Sequence, residues 1–193
     1  MDICVFGASS DRLDACYLQA AEELGRLLAA GGHRLIFGGG NDGLMGACAR
    51  GAASTGGGII GVAPRFFDEP GILYDACTEF VFTETMAERK TVMAARADAF
   101  IALPGGIGTF EEFFEVLTLK QLGRHAKPMA LLNTAGYYDA LGAMLDRAVA
   151  GGFMSAEVLT LFALCERPAE ALAHVLNDRP RSGSVRRIVD YNK

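Results

Sequence analysis

The chain has 193 residues, 51% of them hydrophobic and 21% charged, a formal net charge of -5 and a sequence pI near 5.2. That length and apolar content suffice for one buried core without disulfide or metal staples and exclude a chain that is disordered throughout. The acidic balance argues against a nucleic-acid polymer as partner, because such binding draws its affinity from clustered Lys and Arg.

In chain order, short apolar runs rich in β-formers recur at Ile3–Phe6, Arg34–Phe37, Ile59–Val62, Phe80–Phe82, Ala99–Leu103, Met129–Leu132 and Leu159–Leu164, and each reads as a strand. The segments between them carry apolar residues at helical spacing. In the first, Tyr17, Ala20, Ala21, Leu24, Leu27 and Leu28 fall on one face. This alternation predicts an α/β fold: a Rossmann-like doubly wound parallel sheet of about seven strands with helices on both faces. One domain is expected over residues 1–178. Residues 179–193, where Arg179–Arg187 form a basic cluster among Pro, Ser and Gly, read as a basic, partly disordered tail. The longest irregular stretch, Pro64–Cys77, is either a flap over a site or an ordinary surface connection. No run of about 18 apolar residues and no charged-then-apolar leader is present, so no membrane association is expected. Five cysteines without a Cys-x-x-Cys pair fit reduced thiols in a cytoplasmic protein.

Ligands of doubly wound sheets lie beyond the carboxyl ends of the strands, which directs attention to the strand-to-helix turns. Three of them are small and polar: Gly7-Ala8-Ser9-Ser10, Gly38-Gly39-Gly40-Asn41-Asp42-Gly43 and Pro104-Gly105-Gly106-Ile107-Gly108-Thr109. Each is either a tight turn or a nest of backbone N–H groups for an anion, backed by a helix N-terminus. Gly38, Gly40 and Gly43 satisfy the dinucleotide pattern G-x-G-x-x-G, but they follow the second strand rather than the first, which disfavours an NAD site. No Gly-Lys pair exists, which removes a Walker-type phosphate loop.

The third turn runs directly into Thr109-Phe110-Glu111-Glu112. Thr109 and Glu112 have the spacing of a capping box, a purely structural role, while a carboxylate beside a phosphate nest also suits a ligand that offers hydroxyls or water. Glu111 and Glu112 point about 100° apart on a helix, so they cannot be the opposed carboxylates of ordinary glycosidases. A partner is expected from Thr85-Met86-Ala87-Glu88-Arg89-Lys90, where two cations near a helix start suggest an anionic ligand. Glu111, Glu115 and Thr118 share one helix face, and Thr118 either touches ligand or bonds its own backbone. His33, His125 and His174 lack ligand-like spacing, so no metal is expected.

Three strings, Gly38 to Gly46, Met86 to Lys90 and Pro104 to Glu112, resemble the LONELY GUY family of cytokinin riboside 5′-monophosphate phosphoribohydrolases. The similarity extends from about Asp2 to Leu176 and includes Gln121-Leu122-Gly123 and Lys127-Pro128. Where many members carry Cys-Gly-Ser-Ser, this chain has Gly7-Ala8-Ser9-Ser10. The resemblance implies hydrolysis of the N-glycosidic bond of an N6-modified adenosine 5′-monophosphate to free base and ribose 5-phosphate, with Arg89 and Glu112 as the catalytic pair. It further implies a phosphate held by Gly105, Gly106, Gly108 and Thr109, with Ser9, Gly39 and Gly40 on the opposite wall. The base would lie towards Met86 and the Pro64–Cys77 loop. Lys90, Ile107, Glu111 and Thr118 complete the candidate substrate contacts. No cofactor is expected, and a homodimer or larger homo-oligomer is. The label lysine decarboxylase, often attached to this family, would demand a Schiff-base lysine, and nothing around Lys90, Lys120, Lys127 or Lys193 suggests one. The competing reading is a non-catalytic nucleotide carrier using the same cradle.

Overall fold

The strand and helix alternation closes into one all-parallel sheet in the computed structural model, which describes residues 1–179 and 181–184. Its strands are β1 (Asp2–Phe6), β2 (Arg34–Phe37), β3 (Ile59–Pro64), β4 (Glu79–Thr83), β5 (Ala99–Ala102), β6 (Met129–Leu132) and β7 (Ala163–Cys165). They lie in the order β4-β3-β2-β1-β5-β6-β7, every neighbouring pair parallel. The order reverses direction between β1 and β5, so the turns leaving these two strands splay apart and open a crevice.

Alternate residues of β1 feed two cores. Ile3 and Val5 pack beneath α1 (Ala15–Ala30), α2 (Gly43–Ala53) and α6 (Pro168–Asn177). Cys4 and Phe6 pack beneath α3 (Met86–Arg96), α4 (Ile107–Gln121) and α5 (Asp139–Ala150). The period of two sends neighbours to opposite faces, which is why these strands are apolar throughout. Helices α1 and α2 cross at bare backbone: a Cβ on Gly25 would stand 2.0 Å from Cys48 O, and one on Gly51 2.0 Å from Glu22 O.

The seventh strand differs from its expected place. Leu159 and Thr160 belong to a 3₁₀ turn, Ala156–Thr160, and β7 starts at Ala163. Ser155 accepts the Glu157 N–H, and Val158 and Leu161, three residues apart, are the buried pair, so the apolar run follows a tight helical period rather than that of a strand. Of the expected tail, Gly183 N–H donates to Lys120 O at 3.0 Å and Arg181 pairs with Asp178 at 2.8 Å, whereas Pro180 and residues 185–193 lie outside the described residues.

Lys120, on the last turn of α4, is wholly buried and donates from Nζ to Leu161 O at 2.7 Å. Burial lowers its ammonium to about 8. Because the unfolded lysine keeps its proton to about pH 10.4, the unfolded chain binds more protons between these values, and this group makes stability rise with pH across that window. Thermal melts from pH 7 to 10 should show that rise in the wild type and lose it in Lys120→Met.

Candidate active site

Beyond the carboxyl ends of β1 to β5 lies a cleft of ≈ 480 Å³. The turn after β1 contributes Gly7, Ala8 and Ser9, and the turn after β2 contributes Gly38, Gly40, Asn41 and Asp42. The connection after β3 adds Phe67, Ile72 and Leu73; the start of α3 adds Met86 and Arg89; the start of α4 adds Gly106, Gly108, Thr109 and Glu112. Met45 closes the floor.

An accounting of backbone donors separates the glycine turns. At the start of α2, Gly43 N–H donates to Asp11 Oδ1 at 3.0 Å, Leu44 N–H to Ala8 O at 2.8 Å and Gly46 N–H to Asp42 O at 3.0 Å. Asn41 N–H goes to Ile72 O at 2.9 Å, and Gly39 O accepts from Tyr74 N–H at 2.8 Å, so the Pro64–Cys77 connection is laced onto this turn beside a Gly40–Leu73 bridge. The amides of Asn41, Gly43 and Leu44 are therefore consumed in holding the wall together. Gly43, at φ 60°, is required there, since a Cβ would meet Ala8 O at 2.4 Å.

The third turn is different. The expected capping box on Thr109 is not formed: Gly106 is the N-cap, in extended conformation, and α4 begins at Ile107. Without a side chain, Gly106 leaves the first turn uncapped, and Phe110 N–H to Gly106 O at 3.1 Å is the first bond of the helix. The N–H groups of Ile107, Gly108 and Thr109 precede it and point out of the helix start, the arrangement that attracts an anion. Thr109 folds back over Gly105, where a Cβ would stand 2.1 Å from Oγ1. By contrast, α3 is capped as expected: Thr85 Oγ1 accepts the Glu88 N–H at 3.1 Å.

Glu112 comes one turn into α4 and meets Arg89, one turn into α3. The Arg89 Nη1 to Glu112 Oε1 distance is 3.0 Å, with the residues 7% and 9% exposed. Arg89 Nε donates to Val62 O at 3.1 Å, which fixes the guanidinium from the β3 side. Gly38 gives it room, since a Cβ there would lie 1.9 Å from Nη2. Burial pushes the Glu112 carboxyl above its ordinary range, Arg89 opposing the shift and Glu111 adding to it. A carboxylate so placed holds its proton to higher pH than an exposed one, which suits it to proton exchange in the cleft.

Of the residues singled out from the sequence, Ser9, Gly40, Met86, Arg89, Gly106, Gly108, Thr109 and Glu112 line this one cleft. Gly39 and Gly105 stand behind its walls: Gly39 sits against Phe80, and Gly105 O accepts from Tyr137. Ile107 is 85% exposed outside the lining, and Thr118 is exposed farther along α4. Lys90 is not aimed at the cleft; its Nζ pairs with Glu111 and, at 2.7 Å, with Glu115, tying α3 to α4. Missing from the sequence selection were Phe67, Ile72 and Leu73, for which the apolar content of an irregular Pro/Gly-containing stretch was the available signal. Among the described residues, no group of three or more His, Cys, Asp and Glu could hold a metal ion, and no helix is long and apolar enough to cross a membrane.

Residues 45–175 match the model of a family described as "Possible lysine decarboxylase". A probable cytokinin riboside 5′-monophosphate phosphoribohydrolase of Oryza sativa subsp. japonica is 44% identical over 176 residues, covering 91% of this chain and 77% of its own. The chain belongs to the LONELY GUY family. A second relative, a cytokinin riboside 5′-monophosphate phosphoribohydrolase of Arabidopsis thaliana, is 43% identical over 79% of this chain and 72% of its own. Among solved structures, the molybdenum cofactor carrier protein of Chlamydomonas reinhardtii superposes with a TM-score of 0.69 at 27% identity, covering 91% of this chain and 95% of that one.

The decarboxylase wording attached to the LONELY GUY family does not fit this cleft. Pyridoxal phosphate needs a lysine at its aldehyde, and no lysine lines the site. Lys90 is ion-paired, Lys120 is sealed in the core, and Lys127 donates to Ala94 O at the end of α3. Lys193 lies outside the described residues.

Proposed function

We propose that the protein hydrolyses the N-glycosidic bond of an N6-modified adenosine 5′-monophosphate, giving the free adenine-type base and ribose 5-phosphate. The observation that carries this reading is the buried Arg89–Glu112 pair on the cleft wall, one turn beyond the free N–H groups of α4. The 5′-phosphate sits on the amides of Gly106, Gly108 and Thr109 and on the Thr109 hydroxyl. Water attacks the anomeric carbon as its bond to the purine nitrogen breaks. Glu112 stabilises the oxocarbenium-like charge and takes the water proton, which is returned to the departing base. With Oε1 held by Arg89, Oε2 is the oxygen that faces water. Phe67, Ile72 and Met86 give the base and its N6 substituent an apolar wall. No step calls for a metal or a cofactor.

Incubation of the purified protein with AMP and with N6-isopentenyl-AMP, followed by chromatography, should give free base and ribose 5-phosphate in equal amounts. The likeness to a carrier protein favours a second reading, in which the same cradle binds a nucleotide without turnover. AMP bound in calorimetry with no base released would select it. We further read the protein as a cytoplasmic homodimer or larger homo-oligomer. Its five unpaired cysteines suit a reducing compartment, and light scattering of the purified protein tests the assembly.

A further inference from the structure

Three consecutive carbonyls lead into the free amides of α4, and each is held by a different residue. Leu103 O accepts the Tyr138 hydroxyl at 2.6 Å, Pro104 O accepts Ala8 N–H at 3.1 Å, and Gly105 O accepts the Tyr137 hydroxyl at 2.5 Å. Two adjacent tyrosines on the far side of the loop therefore grip it at both sides of Pro104. A trans peptide is planar, with its C=O and N–H pointing in opposite directions. Holding the Gly105 carbonyl towards Tyr137 fixes the Gly106 N–H away from it, and Gly106 is a lining residue of the cleft. Glycines on both sides of this peptide leave its orientation otherwise unrestrained, since Gly explores both signs of φ.

The tyrosines are themselves held by a costly turn. Ala135 lies at φ 54° in the left-handed region that non-glycine residues avoid, followed by Gly136 at φ 72°. Buried Asn133 stabilises it: Oδ1 accepts Tyr138 N–H at 2.6 Å, and Nδ2 donates to Asp139 Oδ1 at 2.8 Å and Glu166 Oε1 at 2.9 Å. The Tyr137 ring is wedged edge-on between Tyr17, at 6.1 Å and 81°, and Tyr138, at 5.0 Å and 85°. Tyr138 is 1% exposed and belongs to the core, whereas Tyr137 is 38% exposed.

We propose that Tyr137 is a positioning residue that sets the plane of the Gly105–Gly106 peptide, turning its carbonyl outward and the Gly106 amide towards the 5′-phosphate, while Tyr138 only anchors the loop at Leu103 O, whose peptide partner Pro104 has no N–H. The proposal rests on the hydrolase reading only for the ligand's identity; the orientation acts on any anion in the cradle. Loss of one hydroxyl removes a bond worth a factor of roughly 3 to 10.

The test is Tyr137→Phe, with Tyr138→Phe as a comparison that frees a carbonyl whose peptide carries no N–H and should weaken AMP less, measured on paired ligands that differ only in the 5′-phosphate. For N6-isopentenyl-AMP, KM should rise about 3- to 10-fold with kcat at saturation nearly unchanged, while hydrolysis of N6-isopentenyladenosine stays at its wild-type rate. By calorimetry, Kd for AMP should rise by the same factor and Kd for adenosine should not. The melting temperature of Tyr137→Phe should match the wild type. Unchanged affinity for AMP, or equal weakening of AMP and adenosine, would overturn the positioning role. A wild type that binds AMP but releases no base defeats the hydrolase reading alone, because the calorimetric comparison still decides the role of the tyrosines.

Discussion

Glu112→Gln should release base from N6-isopentenyl-AMP about 10²–10⁴-fold more slowly than the wild type while still binding AMP. The substitution keeps the side-chain volume and removes the proton acceptor, so the loss should appear in kcat rather than KM. The pH dependence should carry the same signature. Burial raises the Glu112 carboxyl above its ordinary range, and the reaction needs the ionised form. Activity should therefore fall with decreasing pH, and do so above the ordinary glutamate value of about 4.3. A kcat/KM profile from pH 4 to 8 reads this directly. Base release by Glu112→Gln at the wild-type rate, or a wild-type profile flat to pH 4, would remove Glu112 from the chemistry.

Gly38→Ala is expected to lower kcat/KM about 100-fold although the residue need not touch the bond that breaks. The new methyl group would stand 1.9 Å from Arg89 Nη2 and 3.3 Å from Met45 Sδ, so the guanidinium must leave its place. Gly38 is not among the positive-φ glycines, hence alanine fits the backbone and the fold should survive. The Nε bond to Val62 O resists a sliding of the whole side chain, and the head group swings off Glu112 instead. With its cation displaced, the carboxyl shifts further upward, and the acid limb of the pH profile moves to higher pH. Lower activity and an altered acid limb in a variant that melts in a single cooperative transition, at a temperature lowered by loss of the buried pair, distinguish this from unfolding. A variant with wild-type kinetics would show that Arg89 tolerates displacement.

The fold was legible because its signals are redundant. Six strands are short apolar runs bounded by small residues, and β1 serves two cores, which leaves the doubly wound sandwich as the natural packing. The seventh was misplaced because Val158, Leu161 and Leu164 suit a tight helical turn and a strand equally well. At the site, Arg89 and Glu112 announced themselves as charged residues one turn into helices. What the sequence concealed was the start of α4. Thr109 and Glu112 have a perfect capping-box spacing, yet Gly106, three residues earlier, already begins the helix. A local motif ranks Thr above Gly as a cap, and only the tertiary grip on Leu103, Pro104 and Gly105 explains the earlier start. Tyr137 and Tyr138 passed unnoticed for the same reason: their role depends on β6 lying beside β5, which no run of residues displays.

The second glycine turn spends the amides of Asn41, Gly43 and Leu44 on Ile72, Asp11 and Ala8, while the start of α4 leaves its own free. Two similar strings thus became one brace and one socket. At α2 the first-turn amides of Gly43 and Leu44 are already taken, and Asp42 adds a carboxylate to the wall there, so the start of α4 is the helix end that faces the cleft with its amides open.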